Sequence, residues 1–215
     1  MYHIFTDSEF IRRAKPVCRE IMLDLQHLVR REGVVCQFFG VGSAARNIIT
    51  QNEDGAIDFD YNLNVISWPE EMDDRDIKET VRKCFNKAMR ERGLGDVQDS
   101  TSSLTTGLIY FEDDRYTQFS IDVAVVSQDE DGNWHRLIHE KTGYTYEDRY
   151  YWNKVRSSKG LPDRVDWLKR NGHWTEVRER YVEVKNRYLT RGDHDHPSFV
   201  CYIEAVNEIY QKRHR

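Results

Sequence analysis

The sequence predicts an α+β fold, a mixed sheet of about five strands carrying helices, followed by a helical C-terminal part. Three observations predict it. Two long stretches, 8–32 and 77–92, repeat apolar residues at helical spacing. Between and after them lie short β-branched and aromatic runs bounded by turn residues. Beyond Gly143 the chain turns aromatic, basic and helical in pattern. We therefore expect two regions, residues 1–143 and residues 144–215, the second packed beside the sheet and walling a cleft.

Asp7 or Ser8 can cap the first helix, whose apolar positions include Val17, Ile21, Leu25 and Leu28. Pro16 should kink this helix or mark its true start, and Gly33 ends it. Val34–Phe39 reads as a buried strand, Gly40–Ser43 as a turn and Ala44–Thr50 as a short helix. After a loop at 52–55, Ala56–Ser67 is a strand that Trp68-Pro69 breaks. Asp73 or Asp74 caps the second long helix, with Val81, Cys84, Phe85 and Met89 on one face. Leu104–Phe111 and Thr117–Val126 read as strands joined by a polar turn. Asp131-Gly132 is a hairpin signal that pairs the second of them with Trp134–His139. The last region reads as helices over 147–155, 162–170, 175–189 and 198–213.

Composition sets bounds. A chain of 215 residues can bury a full core. It has no apolar run of 18 residues and starts with MYHIFTDSEF, which lacks a signal-peptide pattern, so we expect a cytoplasmic protein with no membrane partner. The four cysteines are scattered with no CxxC, which reads as reduced and structural. Charge is uneven. Residues 151–215 hold 14 Lys and Arg against 9 Asp and Glu, while the rest hold 18 against 28. An acidic front suits a metal-binding face, and a basic tail suits phosphates, although a solvated helical surface explains the tail as well.

The chemistry concentrates in FGVGSAARNIITQNEDGAIDFDYNLNV, residues 39–65. A strand over 57–66 puts Asp58 and Asp60 on one face, because side chains alternate with a period of two. Like charges side by side cost energy unless a cation lies between them, and hard divalent cations take carboxylate oxygens. Asp122 sits at the centre of the apolar run QFSIDVAVV. If that run neighbours the first, all three carboxylates meet. Gly42-Ser43 offers backbone N–H groups and a hydroxyl to a phosphate. The competing readings are exposed strand carboxylates and an ordinary capping turn.

Taken together, Gly42-Ser43, Asp58-Phe-Asp60 and the later strand Asp122 resemble the polymerase-β-like nucleotidyltransferase superfamily over residues 20–127. Fourteen residues separate Ser43 from Asp58, slightly long for the tighter members, and the 52–55 loop can absorb the excess. The resemblance implies a nucleotidyltransferase-like fold. It also implies a metal-dependent transferase that moves a nucleoside monophosphate from an NTP, ATP first, to an acceptor hydroxyl. Asp58, Asp60 and Asp122 would be catalytic and would hold Mg²⁺ or Mn²⁺. Gly42 and Ser43 would bind the nucleotide. The acceptor, whether nucleotide, RNA, protein or small molecule, is left open. The long first helix and the helical tail look more like the oligoadenylate-synthase and cyclic-nucleotide-synthase branch. The alternative is a nucleotide- or partner-binding module that keeps the fold without turnover.

Other candidates read more simply as structure. Arg46, Lys154 and Lys159 have the charge for phosphate, but they read better as solvated side chains. Tyr150, Tyr151 and Trp152 can stack on a base, but such clusters are more often core. His135 and His139 lack a partner at zinc spacing, and the Asp193-His-Asp-His196 run, a weak metal signal, reads better as a solvated loop before the last helix.

Overall fold

The computed structural model describes residues 1–155, 160–193 and 197–214. In chain order the elements are β1 (Tyr2–Ile4), α1 (Ser8–Arg31), β2 (Val35–Gly40), α2 (Gly42–Ala45), β3 (Thr50–Asn52) and β4 (Ile57–Ser67). Then come α3 (Asp74–Arg90), β5 (Gln98–Asp99), β6 (Leu104–Thr105), β7 (Ile109–Phe111), β8 (Asp114–Gln128), β9 (Trp134–Glu140) and β10 (Arg149–Lys154). Three helices follow, α4 (Leu161–Arg170), α5 (Trp174–Thr190) and α6 (Ser198–Arg213). They form two compact units.

The sheet unit comprises Asp7–Arg46 and Ala56–Val155. Its main sheet runs β10-β9-β8-β4-β2, with β6 and β7 also pairing along β8. All neighbours are antiparallel except β4 and β8, which are parallel, so the sheet is mixed as expected. In β4 the odd positions Ile57, Phe59, Leu63 and Val65 are buried, and in β8 so are Phe119, Ile121, Val123 and Val125. Phe10 of α1 meets Phe119 edge-on at 5.9 Å, which sets α1 on that face, and α1 packs against α3. Each such side chain contributes about 1.5–3 kcal/mol on leaving water. The even positions of β4 and β8 are left for the other face, and the aspartates stand there.

Both long helices start as their sequences direct. Asp7 accepts a hydrogen bond from the Phe10 N–H at 2.8 Å. Asp73 and Asp76 form a reciprocal capping box on α3. Pro16 lies inside α1 without ending it, so the expected start at Pro16 is corrected.

The helical unit comprises Met1–Thr6, Asn47–Gly55 and Arg156–Arg215. Leu168, Val177, Tyr181, Val184, Tyr202 and Val206 are among its core residues, with Ile48. The two-stranded β1–β3 ribbon belongs here, and the Asn186 side chain bonds both the N–H and the C=O of Tyr2.

Four expectations change. In place of a helix over 44–50, only Gly42–Ala45 are helical and Thr50 opens β3. Asn47 has φ 58°, which ends the helical turn, and the β-branched Ile48-Ile49-Thr50 favour extension. Residues 104–111 form two short strands rather than one. Residues 147–155 are not helical. Arg149–Lys154 is a strand antiparallel to β9, in which Tyr150 stacks on His139 and Trp152 on Trp68. The sheet therefore continues past residue 143, and the compact units divide the chain differently from the expected 143/144 boundary. No helix among the described residues is long and apolar enough to cross a membrane.

Candidate active site

The register of three strands assembles the acidic residues. Parallel pairing of β4 with β8 sets Asp58 opposite Ser120 and Asp60 opposite Asp122. Antiparallel pairing of β6 with β8 sets Thr105 opposite Asp122 on its other side. Paired residues project to the same face of a sheet. Asp60, Asp122 and Thr105 thus form one row across three strands, and Asp58 and Ser120 form the next. The three carboxylates anticipated from sequence share one face. Ser120 Oγ donates to Asp58 Oδ1 at 2.6 Å, and Thr105 Oγ1 donates to Asp122 Oδ1.

The glycine turn arrives on the other side of β4. Strand β2 pairs with β4 and ends at Gly40, opposite Tyr61. The Val41 N–H then bonds the Asp60 carbonyl at 2.8 Å, which pins the turn to the acidic strand. Gly42 has φ +66°, a conformation that favours glycine. Space demands glycine as well. A Cβ at this position would lie 2.5 Å from the Asp60 Cγ and 2.8 Å from its Cβ. The backbone N–H of Ser43 favours the charged form of the Asp60 carboxylate.

The electrostatics follow from this crowding. Burial, and then the charges of Asp122 and Asp58, push Asp60 up to about 6, against the pull of Arg46 and the Ser43 N–H. Burial also raises Asp122, with Asp58 adding to it and the Thr105 hydroxyl opposing. Arg136, on β9, is lowered by burial while Asp60 raises it. Its Nε is buried without a hydrogen-bond partner.

Three oxygen-donor anions that repel one another suit a hard divalent cation. Among the described residues, no three acidic, His or Cys side chains already enclose a point that could hold an ion. Mg²⁺ is commonly bound by one or two carboxylates plus substrate phosphates rather than by a protein cage. By donor chemistry, Asp58, Asp60 and Asp122 fit such an ion.

The remaining candidates resolve individually. His139 is buried and stands between Asp99 (Nδ1 to Oδ2, 2.5 Å) and Asp148 (Nε2 to Oδ2, 3.0 Å), while His135 meets Asp129. Tyr150 and Trp152 are taken up by ring contacts within the unit. Lys154 is exposed. Lys159 and the His194–His196 part of the acidic-histidine loop lie outside the described residues. Sequence reasoning missed Thr105, Ser120 and Arg136. For Ser120 a signal existed, since it stands two residues before Asp122 and must share its face. It also missed Lys78, fully buried on α3 with its Nζ 3.4 Å from Asp99.

No protein-family model matches the sequence, and no curated protein matches it. Solved structures do. The chain is similar to Vibrio cholerae DncV bound to 3′-deoxy GTP, with a TM-score of 0.61 and 13% identity, over 95% of this chain and 66% of that one. It is similar to DncV cyclic AMP-GMP synthase in complex with a linear intermediate, with a TM-score of 0.60 and 13% identity, over 95% and 68%. It is also similar to E. coli CdnC with ATP, with a TM-score of 0.55 and 14% identity, over 94% and 58%. The chain thus spans between 58% and 68% of the length of these three proteins. The likeness shows a shared fold.

Proposed function

We propose that this chain is a metal-dependent nucleotidyltransferase that moves a nucleoside monophosphate from an NTP to an acceptor hydroxyl. One observation carries the reading: Asp58, Asp60 and Asp122 share a face of the sheet, and Gly42 is pressed against Asp60 so closely that a side chain there has no room. The similar solved proteins support ATP as donor, since CdnC is described with ATP. They support a nucleotide as acceptor, since DncV is described as a cyclic AMP-GMP synthase with a linear intermediate.

The residues divide the work. Asp58, Asp60 and Asp122 would hold Mg²⁺ or Mn²⁺, which when bound offsets the charge of the triphosphate. Gly42 lets the phosphates approach the backbone, and the Ser43 hydroxyl donates to them. Asp122, whose Oδ1 is held by the Thr105 hydroxyl, also helps take the acceptor proton.

The test is incubation of the protein with labelled ATP and GTP, with and without Mg²⁺ or Mn²⁺. Release of pyrophosphate together with a larger nucleotide product, lost in Asp60→Asn, is expected. Metal-independent nucleotide binding that survives Asp58→Ala combined with Asp60→Ala, with no product, would assign a binding module instead.

A further inference from the structure

We propose that Thr105 and Ser120 are positioning residues of this site: each hydroxyl holds one oxygen of a carboxylate and so turns the other oxygen toward cation and substrate. The inference rests on the reading of the site as a cation-dependent one.

The geometry is paired. Ser120 is the register neighbour of Asp58 and donates to its Oδ1 at 2.6 Å. Thr105 is the register neighbour of Asp122 and donates to its Oδ1. Two of the three carboxylates therefore each receive one hydroxyl donor, and the two hydroxyls come from two different strands, β8 and β6. A carboxylate has two oxygens, and an aspartate on a strand turns easily about its last bond. One fixed O–H···O contact removes that rotation and leaves the second oxygen with a set direction. Ligating carboxylates held in this way bind metal more tightly than free ones, because less order has to be imposed on binding.

Thr105 is itself well held. Its neighbour Thr106 is buried, donates its N–H to the Ile121 carbonyl at 3.0 Å, and accepts the Ile121 N–H on Oγ1 at 3.0 Å. The β5–β6 hairpin is closed by Ser100 and Ser103, which bond through both backbone and side chains. Behind the hairpin, Asp99 sits opposite Leu104 and is gripped by His139 and Lys78. The His139 N–H bonds the Thr101 carbonyl at 2.8 Å. Threonine adds a stiff χ1 of its own. The hydroxyl that touches Asp122 is thus backed by a buried ionic cluster, an expensive support for a residue whose only task is to form two residues of strand.

The test is Mn²⁺ titration, followed by the free-ion electron paramagnetic resonance signal, on the full chain with a non-hydrolysable ATP analogue. Thr105→Val keeps the shape and removes the donor. Thr105→Ser keeps the donor and loses a methyl. Ser120→Ala removes the other donor. Removing a partner that orients a metal-ligating side chain costs about 10–100-fold in metal affinity. Thr105→Val and Ser120→Ala should therefore each bind Mn²⁺ at least about tenfold more weakly, and Thr105→Ser should bind like wild type. Circular dichroism melts identify a variant that fails to fold, and Thr105→Ser and Ser120→Ala then decide. Wild-type affinity in both Thr105→Val and Ser120→Ala, with loss in Asp58→Asn, overturns the positioning role alone. Equal binding by wild type and Asp58→Asn overturns the cation site, and this inference with it.

Discussion

Asp60 and Asp122 stand directly opposite each other across the parallel β4–β8 pair, the one place in that register where two carboxylates meet. A sheet built only for stability would not set like charges side by side at its centre, since such pairs are destabilising. Burial and the neighbouring charges hold Asp60 at about 6. That proton is the measurable trace of burial and repulsion together.

It yields a pH prediction. The unfolded chain releases the Asp60 proton at about 3.9 and the folded chain at about 6. The folded state therefore binds more protons between these values, and stability falls as pH rises through that window. The stabilisation is complete below the unfolded value and lost above the folded one. The difference in proton affinity between the two states is worth about 3 kcal/mol at most. Urea unfolding without divalent ions, at pH 4 and pH 7, should show a loss that Asp60→Asn largely removes. Mg²⁺ should restore wild-type stability at pH 7 and leave Asp60→Asn unchanged.

Gly42→Ala should be disabling for two separate reasons. Its φ of +66° is strained for alanine, at about 1–3 kcal/mol, and its Cβ would displace the Asp60 carboxylate. A lowered melting temperature together with lost Mn²⁺ binding is expected. Gly95→Ala, where a Cβ meets nothing within 4 Å, should do neither.

Ser43→Ala separates binding from folding. The influence of Ser43 on Asp60 comes from its backbone N–H and survives the substitution. The melting temperature should hold while the KM for ATP rises roughly tenfold, near the worth of one hydrogen bond to a charged group. Steady-state kinetics alongside thermal melts checks both halves.

Lys78 gives a stability prediction away from the chemistry. It is fully buried, and burial lowers its pKa while Asp99 opposes that. Asp99→Asn would leave the ammonium buried without its anion, which typically destabilises by about 3–5 kcal/mol. Lys78→Met should cost less, because Asp99 keeps His139. Urea denaturation of the two variants should place them in that order.

Much of this was legible in the chain. Asp58 and Asp60 declared a shared face through the period of two, and Asp122 declared itself as a charge in an apolar run. The Gly-Ser turn was legible as a turn, and its pressure on Asp60 was not, since that depends on β2 reaching β4. Thr105 was hidden because Leu104–Phe111 reads as one strand, whereas the chain breaks between Thr105 and Ile109. Strand β10 was misread because Arg-Tyr-Tyr-Trp-Asn-Lys has no period of its own, and its pairing with β9 decides it. Three-residue strands such as β1 and β3 are too short to carry a pattern. Lys78 looks like any surface lysine of a polar helix until α3 is laid on its neighbours.

The most direct measurement is an anomalous difference map from a crystal of this chain soaked with Mn²⁺ and a non-hydrolysable ATP analogue. A peak bounded by the Asp58, Asp60 and Asp122 carboxylates, with the analogue's phosphates against Gly42-Ser43, is the predicted result. Manganese elsewhere, or phosphates bound away from that turn with no ion among the three aspartates, would contradict it.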